Sequence, residues 1–219
     1  DHRQLRSRII SAYSGLIRVY CHIRFQIIRV RFLEEIEQYL PNEGTILDMG
    51  CGFGLFALYM ASRKPGAHVI GIDLSEKRLE IARNAARRLN ITNVTFLQTD
   101  LRDWRPTSAL AGAYALDVLH HVPPESGNRL LSDLFDRIGG GGRFVLKDID
   151  TTPRLMMWFT YVLDLLMVPK DDFCYRSAAS WQAQLGEAGF NPVRLHHLWD
   201  ILPYPHILLV GDRPHDKPR

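Results

Sequence analysis

Residues 45–54 read TILDMGCGFG, a short apolar strand that opens into a glycine-rich turn. The turn alternates Gly50, Gly52 and Gly54, and a backbone without a Cβ can adopt positive φ and approach a ligand closely. Residues 55–64 then have a helical composition that ends before a Pro-Gly pair. Strand, glycine turn and helix together predict the nucleotide-binding corner of a doubly wound α/β fold.

Charge near this turn indicates which ligand it binds. A dinucleotide fingerprint needs G-x-G-x-x-G, but the third glycine here comes one position early and Leu55 takes its place. Asp48 also puts a carboxylate two residues before Gly50, where it would repel a pyrophosphate. A carboxylate suits a ligand with an ammonium and a sulfonium, and S-adenosylmethionine has both. The stretch resembles the first motif of the class I S-adenosylmethionine-dependent methyltransferases, an acidic residue followed by G-x-G-x-G.

Two more acids follow predicted strands. Residues 68–72 form a second strand that ends on Asp73, about where a ribose-binding acid is expected. Residues 94–98 form a third strand, and the family resemblance implies that Asp100 after it holds the adenine amino group. The neighbouring Leu74 and Leu101 complete this part of the predicted cofactor site. The alternative is that both acids are ordinary turn residues at strand ends.

The predicted fourth strand covers residues 113–119, and its end carries DVLHHVP at positions 117–123. This resembles the D-x-L-H-H-x-P stretch of many small-molecule methyltransferases, and Asp117 joins the cofactor-binding residues that the resemblance implies. Relatives usually open this strand with an aromatic-Asp pair, whereas this chain has Ala111-Gly112. The departure concerns where the strand begins and not its functional end.

His120 and His121 are the candidate catalytic residues, because histidine titrates near neutrality and both are predicted at the carboxyl end of a strand. A base is needed only if the acceptor must lose a proton. Side chains alternate along a strand, so one histidine is expected to face the pocket. The resemblance favours His120 as base or acceptor-orienting group, while His121 is also open to a structural role bonded to backbone. The sequence shows no metal-ligand spacing, so we predict no metal.

Composition bounds the fold and its location. A chain of 219 residues, 46% of them hydrophobic, can bury one core and is expected to form one domain. Three cysteines without a C-x-x-C pair favour a reducing compartment, and neither a membrane span nor a signal peptide is visible, so we expect a cytoplasmic protein.

The order of elements and the family resemblance together predict the fold class. It is α/β, a doubly wound Rossmann-like seven-stranded sheet with the last strand antiparallel, N-terminal helices and a helical cap insertion. The expected divisions are a helical segment at 1–40 and a methyltransferase domain at 41–213.

The N-terminal segment is amphipathic and basic. Residues 1–31 hold seven arginines and one acid, a charge of +6 that leaves −3 for the rest of the chain. Apolar residues at steps of three and four, from Leu5 to Val30, predict a continuous helical stripe with a break at Ser14-Gly15. The segment is either a lid over the cofactor or an interfacial helix that brings residues 1–33 to an anionic membrane surface.

An apolar insertion at 151–176 is the least generic part of the sequence. Residues 155–168 are almost wholly apolar and too short to span a bilayer. A helix that is apolar on all sides must be covered, which fits a buried core helix. We favour instead a cap that lines a hydrophobic acceptor pocket, because ligands of open α/β sheets bind beyond the carboxyl ends of the strands.

The remaining elements follow the family order. We predict a helix at 125–138, a tight turn at the glycines 139–142, and a fifth strand at 143–150. A last helix is expected at 181–188 and a terminal strand pair at 193–198 and 207–211, with the final strand antiparallel beside the fifth.

Three functions are compatible with these features. The first is methyl transfer from S-adenosyl-L-methionine to a small hydrophobic, aromatic or lipid-like acceptor. The second is methylation of nucleic acid through the basic N-terminus, which is disfavoured because the sequence has no N-P-P-Y-type motif or Pro-Cys nucleophile and its insertion is apolar. The third is a non-catalytic subunit that binds the cofactor or a partner. The intact series Asp48, Asp73 and Asp100 argues against a decayed site.

Overall fold

A computed structural model describes residues 1–105, 108–167, 173–198 and 204–215. The chain divides into two compact units: residues 1–103 with 110–113, and residues 104–109 with 114–219. The predicted division at residue 40 remains a prediction. Within the described ranges, no helix combines the length and apolar character needed to cross a bilayer. Cys21, Cys51 and Cys174 are free thiols.

The first unit carries the N-terminal helices and the opening strands. Its elements are α1 (His2–Ser11), α2 (Gly15–Ile27), α3 (Val30–Tyr39), β1 (Gly44–Met49), α4 (Leu55–Arg63), β2 (Ala67–Asp73), α5 (Glu76–Leu89), β3 (Val94–Gln98) and the start of β4 (Leu110–Leu116). β1 pairs with β2, and β2 with β3, all in parallel register. Parallel strands are joined through crossover helices, so the carboxyl ends of β1 and β2 lie at one edge.

The N-terminal stripe is not continuous, and that prediction is wrong. The chain breaks at Ser14, as predicted, and again at Ile28 and Arg29, so the segment forms three helices where two were predicted. Each break changes the face that packs inward. In α2 the buried side chains are Cys21 and Phe25, whereas Leu16 is 87% exposed.

The second unit holds the rest of the sheet and its helices. After the end of β4 come a 3₁₀ turn (Leu119–His121), α6 (Pro124–Arg137), β5 (Ile138–Ile149), α7 (Arg154–Met167), α8 (Ala178–Glu187), β6 (Val193–Leu198) and β7 (His206–Asp212). β7 pairs antiparallel with both β5 and β6. The strand order is β3-β2-β1-β4-β5-β7-β6, which confirms the predicted seven-stranded sheet with an antiparallel final strand beside the fifth.

Several element boundaries in this unit differ from the predictions. β4 ends at Leu116, because Asp117 has a φ of 55° and the histidines lie in the 3₁₀ turn rather than on the strand. The glycines 139–142 belong to β5 and form no tight turn. Backbone bonds from Gly141 N to Arg213 O and from Arg213 N to Gly142 O, both 2.8 Å, extend the pairing into this stretch.

The last helix begins earlier than predicted. α8 starts at Ala178, because the Ser177 side chain accepts a hydrogen bond from Ser180 N and caps the helix. α7 is a helix over most of the predicted cap, and residues 168–172 of the insertion lie outside the described residues. It is not a buried core helix: Leu155 is 79% exposed and Trp158 is 64% exposed.

Candidate active site

The glycine turn after β1 is built as the sequence requires. Gly50, Gly52 and Gly54 all have positive φ, at 73°, 56° and 76°. Gly54 has a second constraint, since a Cβ there would lie 2.7 Å from Ala82 Cβ and 2.8 Å from the ring of Phe96. Only glycine lets this turn bend while α5 and β3 pack against it. A Cβ on Gly52 would meet no atom within 4 Å, so space remains over the middle of the turn.

Asp73 ties this turn to the end of β2. Its Oδ2 accepts a hydrogen bond from Gly52 N, and its Oδ1 accepts one from Ser75 N, both at 2.9 Å. The side chain is almost fully buried. Each carboxylate oxygen has two lone pairs, so both can accept a further bond from a ligand.

The turn lies in a negative field. Asp48 is buried at the end of β1. Burial, followed by the charges of Asp48 and Asp73, raises the pKa of the Cys51 thiol well above its usual value. Carboxylates that disfavour a nearby thiolate in this way also favour a nearby cation.

The remaining cofactor candidates of the first unit lie after β2 and β3. Leu74 is exposed and Leu101 is half-buried. Asp100 forms an ion pair with Arg102, whose Nη2 lies 2.6 Å from Asp100 Oδ2. Hydrogen bonds from the Arg102 side chain lower the pKa of the Asp100 carboxyl. A base amino group approaching Asp100 would therefore share this carboxylate with a guanidinium.

The N-terminal helices contact the glycine turn within the same unit. Tyr13, just after α1, donates its hydroxyl to the carbonyl of Phe53 at 2.9 Å. The ring of Tyr20 in α2 packs edge-on against Phe53, with centroids 5.2 Å apart. The lid role of these helices remains a prediction. Tyr20 belongs to the predicted apolar stripe, whereas no role was predicted for Tyr13.

In the second unit, Asp117 leaves β4 with positive φ, and its carboxylate forms an ion pair with the fully buried ammonium of Lys147. The backbone N of Asp117 also donates to the carbonyl of Lys147 at 2.9 Å. A buried lysine needs such a partner, because an uncompensated charge inside a protein is costly. Asp117 is thus engaged by β5, and its place in the predicted cofactor site remains a prediction.

His120 forms a buried pair with Asp148. The His120 Nδ1 lies 2.6 Å from Asp148 Oδ1, and the two side chains are 3% and 1% exposed. The same carboxylate oxygen accepts a hydrogen bond from Ile149 N at 2.8 Å, which orients it. A carboxylate that accepts from Nδ1 leaves Nε2 as the basic nitrogen of the ring.

Aromatic side chains surround both histidines. The ring of Tyr175 stacks on His120 with centroids 5.2 Å apart, and Phe173 lies 5.4 Å from His121. His121 is half-buried and, like His120, lies in the 3₁₀ turn. Strand alternation therefore cannot separate their roles, and the burial and the carboxylate partner of His120 distinguish it instead.

Arg176, which follows Tyr175 in the chain, is buried. Its Nη2 donates to the carbonyl of Val122 at 2.6 Å, and its guanidinium lies 4.4 Å from the Trp181 ring centroid. Burial lowers the pKa of Arg176, and the charge of Asp148 partly offsets this shift. Among the described residues, no group of three or more His, Cys, Asp or Glu side chains is arranged to hold a metal ion.

Sequence reasoning missed Lys147, Asp148, Tyr175 and Arg176. The first two carry a visible signal, because they are charged residues inside the apolar strand sequence FVLKDI at 144–149. Charges in a buried strand are expected to be paired. Tyr175 and Arg176 follow the insertion and carry no comparable signal.

Comparison with known proteins supports the cofactor class. A family model described as a methyltransferase domain matches residues 46–142. The chain is 30% identical over 119 residues to an S-adenosyl-L-methionine-dependent Diels-Alderase of Talaromyces variabilis, covering 52% of this chain and 39% of that protein. It is 31% identical over 155 residues to a ubiquinone biosynthesis O-methyltransferase of Acinetobacter baumannii strain ACICU, covering 68% and 62%. The chain thus spans less than two thirds of the length of these relatives.

The fold is similar to that of a solved methyltransferase structure. The crystal structure of the S-adenosylmethionine-dependent methyltransferase SibL in its apo form superposes with a TM-score of 0.73 at 23% identity, covering 96% of this chain and 62% of that one. At this identity the likeness concerns the fold alone. Family model, relatives and fold agree with the glycine turn and its acids. Residues 46–142 therefore match a methyltransferase domain, and the chain is similar to enzymes that depend on S-adenosyl-L-methionine.

Proposed function

We propose that the chain transfers the methyl group of S-adenosyl-L-methionine to a small hydrophobic, aromatic or lipid-like acceptor. The observation that carries this proposal is the open, negatively charged glycine turn. Space over Gly52 admits a ligand, and the carboxylates of Asp48 and Asp73 favour a ligand that bears positive charge. When bound, the cofactor would supply a methyl group carried by a sulfonium, and the neutral thioether that remains after transfer is an excellent leaving group.

Four side chains of the first unit are proposed to contact the cofactor. Asp73 accepts the ribose hydroxyls while keeping its bonds to Gly52 N and Ser75 N, since its oxygens have lone pairs to spare. Asp100 accepts the adenine amino group beside Arg102. Leu74 and Leu101, which follow Asp73 and Asp100 in the chain, are proposed to provide apolar contact to the base.

His120 is proposed as the general base for an acceptor that must lose a proton. Its Nε2 takes the proton, and Asp148 holds the opposite ring nitrogen and stabilises the imidazolium that results. Asp148 is a positioning residue in this scheme. For an acceptor that is already a nucleophile, the pair would orient rather than deprotonate, and alignment would supply most of the rate acceleration.

The proposed class of acceptor is inferred from the exposed apolar side chains of α7. The exposed side chains of α7 are spaced so that they share one face: Leu155, Trp158, Tyr161 and Leu165. An uncovered aromatic and aliphatic face suits a hydrophobic acceptor better than a charged one. This supports the cap interpretation of the insertion.

We also propose peripheral association of residues 1–33 with an anionic membrane. Leu16, Val19 and Ile23 of α2 are 87%, 54% and 47% exposed and share one face of the helix. Arginine-rich helices with such a face bind at the lipid–water interface. The lid role is compatible with this, because α2 buries the opposite face through Cys21 and Phe25.

The central test is product detection with a matched pair of variants. The protein would be incubated with S-adenosyl-L-methionine bearing a deuterated methyl group and a panel of phenols, carboxylic acids and lipid extracts, and labelled products identified by mass spectrometry. On an acceptor with a hydroxyl group, His120→Ala should lower the rate by about 10² to 10⁴ with cofactor affinity retained. His197→Ala, an exposed histidine on β6, is the control and should keep full activity.

Asp148→Asn separates positioning from packing, since it keeps the shape and removes the charge. It should lower the turnover number with little change in KM. Cofactor binding without any labelled product across the panel would favour the non-catalytic alternative. A fully active His120→Ala enzyme would remove the general-base assignment.

A further inference from the structure

A basic cavity lies within the N-terminal helices of the first unit. It has a volume of about 570 Å³, within the usual range of ligand pockets. Four arginines line it, Arg3 and Arg6 from α1 and Arg29 and Arg31 from the start of α3. None of its nine lining residues, all of them in the described part of the chain, is acidic.

Helical spacing brings these side chains together. Arg3 and Arg6 are three residues apart on α1, and His22 and Gln26 are four residues apart on α2, so each pair shares one face. The second break in the helical segment, at Ile28 and Arg29, turns the chain so that Arg29 and Arg31 reach the same cavity. A single continuous helix would have spread these charges along its length.

Two of the guanidinium groups rest on aromatic rings. Arg6 lies 6.0 Å from the centroid of Phe25, and Arg31 lies 4.8 Å from that of Phe32. Contact with a ring face positions a guanidinium. A cavity lined by four arginines and by no acidic side chain favours an oxyanion that can accept several N–H donors at once.

The exposed apolar face of α2 adjoins this cavity. Val19 and Ile23 each lie three residues before a lining residue, His22 and Gln26. Residues three apart are neighbours on a helix surface, so apolar and basic surfaces meet along one edge of α2. A ligand that satisfies both has an anionic head and an apolar body.

We propose that this cavity binds the phosphate of an anionic phospholipid headgroup, with the acyl region against the exposed face of α2. The proposal rests on the proposed membrane association of residues 1–33 and gives it a defined site. In such a site a few N–H donors contact one phosphate, whereas a diffuse basic surface would attract the membrane through all seven arginines.

The test compares two single substitutions that remove the same charge. Arg6→Gln alters the cavity, whereas Arg18→Gln alters an exposed arginine of α2 that does not line it. Binding would be measured by co-sedimentation with vesicles of phosphatidylcholine alone and of phosphatidylcholine mixed with phosphatidic acid. Inorganic phosphate would be titrated separately by calorimetry, and cofactor affinity would be measured for each variant.

A diffuse basic surface loses about fivefold in affinity for each arginine removed. A headgroup site should lose about thirtyfold with Arg6→Gln and no more than about fivefold with Arg18→Gln, on the acidic vesicles only. Equal losses would overturn the site while leaving membrane association standing. Absence of wild-type binding to acidic vesicles would overturn both, and binding of inorganic phosphate without vesicle binding would assign the cavity to a free anion. Unchanged cofactor affinity in both variants would keep these outcomes separate from the methyltransferase proposal.

Discussion

At the scale of single residues, Asp73 links the backbone of the glycine turn to the proposed chemistry. One oxygen holds Gly52 N and the other holds Ser75 N, so the carboxylate determines how the turn meets the end of β2. The same side chain contributes to the negative field that raises the pKa of Cys51. The structural role of Asp73 and its proposed role in ligand binding therefore belong to one carboxylate and must be separated by experiment.

Asp73→Ala should weaken cofactor binding by roughly 1.5–3 kcal/mol, through loss of charge-assisted hydrogen bonds to the ribose hydroxyls. Calorimetry on the purified variant measures this. Asp73→Asn is the matched control, since an amide oxygen can still accept one of the two backbone bonds. It should retain thermal stability better than the alanine variant and still bind the cofactor less tightly. Unchanged affinity in the alanine variant would remove Asp73 from the site.

The pairing of His120 with Asp148 shows how a carboxylate partner can fix the orientation and tautomer of a histidine. The pair is almost completely buried, and Tyr175 covers the imidazole on one face. A histidine held in this way has one orientation and one tautomer, which general-base catalysis requires. His121 is also flanked by aromatic rings but lies nearer the surface.

At the scale of elements, α4, α5 and β3 depend on close backbone approach at the glycine turn. Gly54 is the N-cap of α4 and has left-handed backbone geometry. Ala82 of α5 and Phe96 of β3 occupy the space where its side chain would be. Local backbone conformation and packing between elements thus require the same residue type.

Gly54→Ala should destabilise the fold by about 1–3 kcal/mol or more, because it adds strain at positive φ to a steric overlap. Gly186→Ala is the control. Gly186 lies within α8, and a Cβ there would meet nothing within 4 Å. Since alanine is a better helix former, this variant should gain about 0.5–1 kcal/mol. Urea unfolding of both variants measures the difference, and equal stability of the two would contradict the packing argument.

At the scale of the whole molecule, charge is unevenly distributed. Residues 1–31 carry +6 and the rest of the chain −3, so the net charge of +3 conceals a basic N-terminal segment. The exposed face of α2 lies in the same segment. Uneven charge together with exposed apolar surface is typical of proteins that bind reversibly to membranes.

Binding of the protein to acidic vesicles should therefore fall with salt. The Debye length drops from about 10 Å at 0.1 M to about 3 Å at 1 M, which screens the arginines but leaves apolar contact intact. Co-sedimentation at increasing sodium chloride measures the effect, with neutral vesicles as control. Protein that remains in the supernatant with acidic vesicles at low salt would show that the N-terminal helices act only as a lid.

The sequence by itself determined the local features of this protein. The glycine turn, the parallel strands on either side of it, the break at Ser14 and the helical character of α7 all follow from backbone preferences and periodicity within a few residues. The family motifs also placed the candidate histidines near the end of β4, though not in the 3₁₀ turn that carries them. Such features need no knowledge of distant parts of the chain.

Only the tertiary structure decided which distant residues meet. Asp148 reaches His120 across 28 positions and Lys147 reaches Asp117 across 30, through contacts that no local pattern contains. The glycines at 139–142 became strand because distant backbone at Arg213 supplies hydrogen bonds, which outweigh glycine's local preference for turns. The inward face of α2 was likewise decided by what it packs against. Periodicity predicts that a helix has an apolar face, but the surrounding surface determines which residues are buried.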